Sequence, residues 1–107
     1  MIYVLGQATQ RNGSSPVWTL SGICSSANRT DTGTYTITVD FTNLPSNIDK
    51  NKLVILISAE RAFTGSERFT IDWISDTMFR VRNYGGSSST TLGDCYLTVT
   101  ILADIDN

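Results

Sequence analysis

From Thr34 to Phe41 polar and apolar residues alternate without a break. Tyr35, Ile37, Val39 and Phe41 are apolar, and Thr34, Thr36, Thr38 and Asp40 lie between them. A period of two is the signature of a strand with one buried and one solvated face. The signature recurs and predicts strands over 1–10, 17–23, 34–41, 52–58, 68–74, 77–84 and 95–103. Turn formers separate them: Asn12-Gly13, Pro45, Thr64-Gly65, Ser75-Asp76 and the Gly/Ser/Thr run of 85–94. Segment 24–32 is polar and reads as a loop. No segment holds a helical period for longer than a turn, and 48–53 has room for one such turn. Seven to eight strands with regular turns and no helix predict a single all-β domain, an antiparallel β-sandwich or jelly roll.

The alternation assigns faces. Tyr35, Ile37, Val39 and Phe41 point to the core, as do Phe69, Ile71 and Trp73 of the fifth predicted strand and Leu97, Val99 and Ile101 of the last. Trp18 and Trp73 both lie inside strand patterns and read as core anchors. Some strands carry more apolar residues than one face needs. Ile2 and Val4 alternate with Tyr3 and Leu5, Tyr96 and Leu102 lie opposite the core face of the last strand, and 53–57 is apolar throughout. The run at 53–57 predicts a strand that is central or covered on both sides. The surplus at Ile2, Val4, Tyr96 and Leu102 predicts contacts between subunits.

Composition narrows the class. Charged residues make up 17% of the chain, against roughly 25% in an ordinary globular protein, and Ser and Thr fill the difference. Thr suits a pleated, half-exposed surface. The net charge is −2, so no basic excess exists to neutralise phosphates and nucleic-acid binding is not expected. No apolar run reaches the ~18 residues of a membrane-spanning helix, and no membrane insertion is expected. Cys24 and Cys95 permit a disulfide but read more simply as two free, buried, small apolar residues.

Candidate chemistry is sparse. The chain has no His, which removes the common triads and most transition-metal sites. Asp72, Asp76 and Asp94 are too dispersed for a calcium loop. Glu60 and Glu67 could flank a cleft as a glycosidase pair, but read more simply as solvated loop-edge acids. No phosphate-binding or redox motif is present. The expectation is a binding protein without catalysis, cofactor or metal. Loops on a rigid β scaffold carry recognition, and two stand out, 61–67 and 84–94. They offer Arg61, Phe63, Glu67, Tyr84 and Asp94, with Arg82 beside the second, as ligand-binding candidates: aromatic faces together with groups that hydrogen-bond a sugar.

The stretch Arg29-Thr-Asp-Thr-Gly33-Thr-Tyr35-Thr-Ile37-Thr-Val39 resembles the Gly-x-Tyr strand of trimeric jelly-roll heads of the C1q and TNF-like type. It is closer still to small distal domains of bacteriophage tail fibres and other virion fibres. There, too, a Pro-containing loop and an all-apolar strand follow, as Asn43-Leu44-Pro45 and 53–57 do here. Phe79, Val81 and Arg82, a Gly/Ser loop and the alternating strand of 95–103 complete the similarity, which covers about residues 29–103 and not 1–28. The resemblance implies one jelly roll per subunit, a homotrimer at the tip of a fibre, adhesion to a cell-surface receptor, often a glycan, and a place on the virion or otherwise outside the cell. Two other readings stand beside it: a non-catalytic cap or trimerisation domain of a virion, and a monomeric carbohydrate-binding module.

Overall fold

The structure, a computed structural model, describes all residues except 13, 43, 45–47, 62–67, 85–90 and 105–107, and of residues 50, 60 and 61 only the backbone. The strands are β1 (Ile2–Gln10), β2 (Thr19–Gly22), β3 (Cys24–Asp31), β4 (Thr34–Val39), β5 (Val54–Arg61), β6 (Phe69–Ser75), β7 (Met78–Asn83) and β8 (Tyr96–Asp104). They form two antiparallel four-stranded sheets, in the order β2-β1-β8-β5 and β3-β4-β7-β6. The chain changes sheet between β2 and β3, β4 and β5, β5 and β6, and β7 and β8. This is an antiparallel β-sandwich wound in the manner of a jelly roll. Before β5 a single 3-10 turn, Lys50–Lys52, is capped by Asp49, whose carboxylate accepts the Asn51 N–H, as the 48–53 pattern allows.

The core follows the alternation. Tyr35, Ile37, Phe79, Val81, Leu97, Val99 and Ile101 are fully buried between the sheets. Each such side chain contributes about 1.5–3 kcal/mol by leaving water, and a slip of one residue would expose a whole set. The hydroxyl face of β4 points away from this core. Thr34 and Thr36 are nonetheless 7% and 8% exposed, because β4 is an inner strand and Arg82 and Arg80 stand beside them in register on β7.

Four sequence expectations need correction. Residues 24–31 form an edge strand, not a loop. Only Ala27 among its middle residues packs on the core, so no alternation marks it. The strand predicted from 17 begins at Thr19 and continues into β3 around a corner at Gly22 and Ile23, where Ile23 bonds to both sheets (N–H to Leu5 O, 3.0 Å; O from Asp40 N–H, 2.8 Å). Strand β5 is an edge, not a central strand. Its Ile55 and Ile57 pack on the core, but Val54 and Leu56 on the other face are 50% and 53% exposed. Finally, Ile71 and Trp73 point to the core side of β6 and yet remain 39% and 42% exposed. β6 is the outer strand of its sheet, and Trp73 is a half-covered flank residue instead of an anchor. Trp18 is partly buried against the core, its ring edge-on to Tyr35.

The corner depends on Gly22. Its φ is +59°, and a Cβ there would lie 2.0 Å from Leu5 O. Both the left-handed backbone and the contact exclude a side chain. Gly22→Ala is expected to destabilise the domain by about 2–3 kcal/mol, read as a lowered midpoint in urea unfolding.

Cys24 and Cys95 are free and buried. They lie at opposite ends of β4: Cys24 pairs with Val39, while the Cys95 N–H donates to the Tyr35 hydroxyl. Burial pushes the Cys24 thiol up to about 11, which leaves it almost wholly protonated at neutral pH. A reducing agent should leave the melting temperature unchanged, and both thiols should react with an aromatic disulfide reagent only after denaturant is added.

Candidate functional site

Register sorts the molecule into two ends. One end carries the last residues of β1, β3, β5 and β7 and the first of β4, β6 and β8, among them Arg61, Arg82, Tyr84 and Asp94 at or beside strand ends. The opposite end carries Ile2, Val39, Val54, Ser75 and Asp104.

At the loop end the chain is tied to one carboxylate. Asp94 Oδ1 accepts from Arg29 Nε at 3.0 Å and from the Gly33 backbone N–H at 2.8 Å, and the Tyr35 hydroxyl lies 3.2 Å away. Its Oδ2 accepts from Arg29 Nη2 at 3.0 Å. Burial alone would raise the Asp94 pKa. The Arg29 bonds, the Gly33 N–H and the Arg29 charge outweigh it and hold the carboxyl below its ordinary value. Burial is also the chief reason that the Tyr35 phenol is raised. The Arg, Gly and Tyr of the sequence stretch quoted above are thus three donors around a single acceptor 59 to 65 residues away.

Two further links extend this clamp. The Gln10 amide donates to Cys95 O at 2.6 Å, and its own oxygen accepts from Asn12 N–H at 2.8 Å. The buried Asn83 amide donates to Gly93 O at 2.9 Å, while the Asn83 backbone exchanges bonds with Gly33 and Gly93. Gly33 has φ +64°, and a Cβ there would lie 2.6 Å from Gly93 N. Only glycine lets the β3–β4 turn lie against 93–95. The clamp therefore fixes both roots of the segment between β7 and β8 to the body of the sandwich.

The remaining candidates lie apart from it. Arg82 is half-buried on the outer face of the second sheet, in register with Thr34 and Thr70. Tyr84 is half-buried, and its N–H donates to Arg68 O at 2.8 Å. Arg61 ends β5 opposite Tyr96, while its side chain, Phe63 and Glu67 lie outside the described residues. The structure thus places Arg82, Tyr84 and Asp94 at one end of the molecule and commits Asp94 to internal bonds.

The second feature is the outer face of the first sheet. Register brings Val4, Leu102 and Val54 side by side on β1, β8 and β5, with Ile2 and Leu56 adjoining. Ile2 is 68% exposed and Val4 61%. Tyr96 shares this face but stands at the loop end, beyond Thr98 and Thr100. Of the four predicted contact residues, Ile2, Val4 and Leu102 therefore join and Tyr96 does not. Val54 and Leu56 complete the patch. Their signal was the doubly apolar strand, which equally describes an edge strand awaiting a partner. Toward the loop end the face continues as Gln7, Thr9, Ser58, Thr98 and Thr100, with Gln7 donating to Thr100 Oγ1 at 3.1 Å and Thr9 3.2 Å from the Thr98 hydroxyl. Among the described side chains, no charged residue lies on it between Asp104 at one end and the β5 positions of Glu60 and Arg61 at the other. The outer face of the second sheet differs, carrying Arg80, Arg82 and Asp72, with Arg80 paired to Asp72.

No family model, curated protein or solved structure matches this chain. Function must be argued from these two surfaces. Among the described residues no cluster of three or more Cys, Asp or Glu is placed to hold a metal ion.

Proposed function

We propose that this chain is the head domain of a virion fibre, which assembles with copies of itself as a homotrimer and binds a cell-surface receptor, a glycan, at its loop end. One observation carries the proposal: the partly apolar outer face of the first sheet, which among the described side chains is free of charge inward of Asp104. A monomer in water gains nothing from holding Ile2, Val4, Val54 and Leu56 half or more exposed, and a contiguous patch of this kind marks an interaction surface. Identical copies meeting around an axis bring like charges together, and depletion of charge at the centre of the contact avoids that repulsion. The charged second sheet then faces water. The fibre assignment draws on the resemblance of Arg29–Val39 and the strands after it to trimeric heads, and the reading assigns no catalysis.

The test is capture on a mammalian and bacterial glycan array by the purified chain, labelled at an added terminal tag. Binding to a defined set of glycans is expected. An assembled protein that binds none would favour the second reading, a cap or trimerisation domain. That alternative draws on Asp94, whose oxygens already serve the Arg29, Gly33 and Tyr35 donors.

A further inference from the structure

Trp73 sits where an aromatic side chain is not expected to stay wet. It occupies a core-facing position of β6 and remains 42% exposed. One side of its indole is backed by the fully buried Phe79, with ring centroids 5.1 Å apart and planes tilted by 57°. Its other surroundings form a cleft of about 250 Å³ lined by Asn51, Leu53, Trp73, Ser75 and Asp76. The cleft lies between the 3-10 turn of Lys50–Lys52 and the β6–β7 hairpin, at the end of the molecule opposite the Asp94 clamp.

Its polar groups are uncommitted. Among the described residues the Asp76 carboxylate, the Asn51 side-chain amide and the Trp73 indole N–H have no protein partner, while Ser75 Oγ accepts the Thr77 N–H at 3.3 Å. They are held on short, tight elements. Asp49 caps the turn bearing Asn51, and the two-residue hairpin turn fixes Ser75 and Asp76.

We propose that this cleft binds one ring of a neutral saccharide, stacked by its C–H face on Trp73 and hydrogen-bonded through its hydroxyls to Asp76 and Asn51. An aromatic plate with an apolar body and a polar tip, beside a few convergent hydrogen-bonding groups, matches a ring that is apolar on its face and polar at its rim. Size agrees, because about 250 Å³ is below the ~300–1,000 Å³ of sites for drug-sized ligands. Charge selects within the class. Among the described residues the only ionic group lining the cleft is Asp76, so a sugar acid would meet a like charge there, whereas neutral hydroxyls donate to the carboxylate and accept from the amide and the indole. The choice of a glycan as ligand rests on the adhesion reading. The cleft does not, and it adds a sugar contact on the flank beside β5, separate from the one proposed at the loop end.

The chain has two tryptophans, so the two indole N–H signals in a ¹H–¹⁵N spectrum report on the cleft and on a built-in control. The probes are the methyl glycosides of glucose, galactose, mannose and N-acetylglucosamine at millimolar concentration. At least one should shift the Trp73 signal saturably and leave Trp18 in place. Asp76→Asn should weaken that titration, and Trp73→Ala should reduce binding, followed by the Ser75 and Asp76 amides, by roughly tenfold or more. Trp73→Leu keeps an apolar side chain against Phe79 without an aromatic ring, and so separates loss of the plate from loss of fold. If none of the glycosides moves Trp73, the proposal is overturned. If shifts are confined to Tyr84 and the loop end, the cleft is overturned and adhesion stands. A saturable Trp73 shift with no glycan-array capture would sustain the cleft and overturn adhesion.

Discussion

Asp94→Ala is expected to destabilise the domain by about 2–3 kcal/mol, below the ~3–5 kcal/mol for removing one partner of a fully buried pair because this pair is only partly buried. The Asp94 side chain is 13% exposed and that of Arg29 27%, so solvent screens the pair only in part. Without the carboxylate the guanidinium, the Gly33 N–H and the Tyr35 hydroxyl lose an acceptor together. Asp94→Asn retains the shape and one acceptor and should cost less. The same carboxylate sets the acid response. Its folded pKa is depressed, so its contribution is fully present above the unfolded carboxylate value near ~3.9 and is lost as pH falls through the folded value. Urea unfolding from neutral pH down through that window should show wild-type stability falling steeply, with a shallower fall in Asp94→Asn. Equal slopes for the two proteins would remove Asp94 from this role.

The second large effect belongs to the outer face of the first sheet. Val4→Glu combined with Leu56→Glu should dissociate the assembly. Both side chains are more than half exposed in the single subunit, so the fold should tolerate the change, seen as an unaltered far-ultraviolet circular dichroism spectrum. In a symmetric contact every copy brings both charges, and an unpaired buried charge costs several kcal/mol. The dissociation constant should rise by at least about 100-fold. The same pair placed on the second sheet, at Thr70 and Asn28, should leave the assembly as it was.

How much could be read from the sequence depended on what each strand faces. β4, β7 and β8 lie inside their sheets with one face on the core, and their alternation located both the strands and the buried residues. β3 is an edge strand with little core contact, so nothing in Ser25–Thr30 distinguishes it from a loop. The apolar run of β5 showed that both faces shun water. It could not show that one of them is covered by the sandwich and the other left half-exposed. Trp73 misled for a related reason, because parity gives the direction of a side chain and not whether a neighbouring sheet extends far enough to cover it. At the loop end, Arg29, Gly33 and Tyr35 were visible as a group and Asp94 as a candidate, yet the bond between them spans 59 to 65 residues. Only the fold supplies it. Asp94, a ligand-binding candidate from the sequence, is also the acceptor that closes the clamp.

The claim on which the assembly reading depends is that copies of this chain cover Ile2, Val4, Val54, Leu56 and Leu102. Light scattering coupled to size-exclusion chromatography, over a dilution series of the wild-type chain, measures this most directly. The account predicts a molar mass three times that of the 11.7 kDa subunit, held on dilution into the micromolar range. A mass of one subunit at every concentration would contradict it.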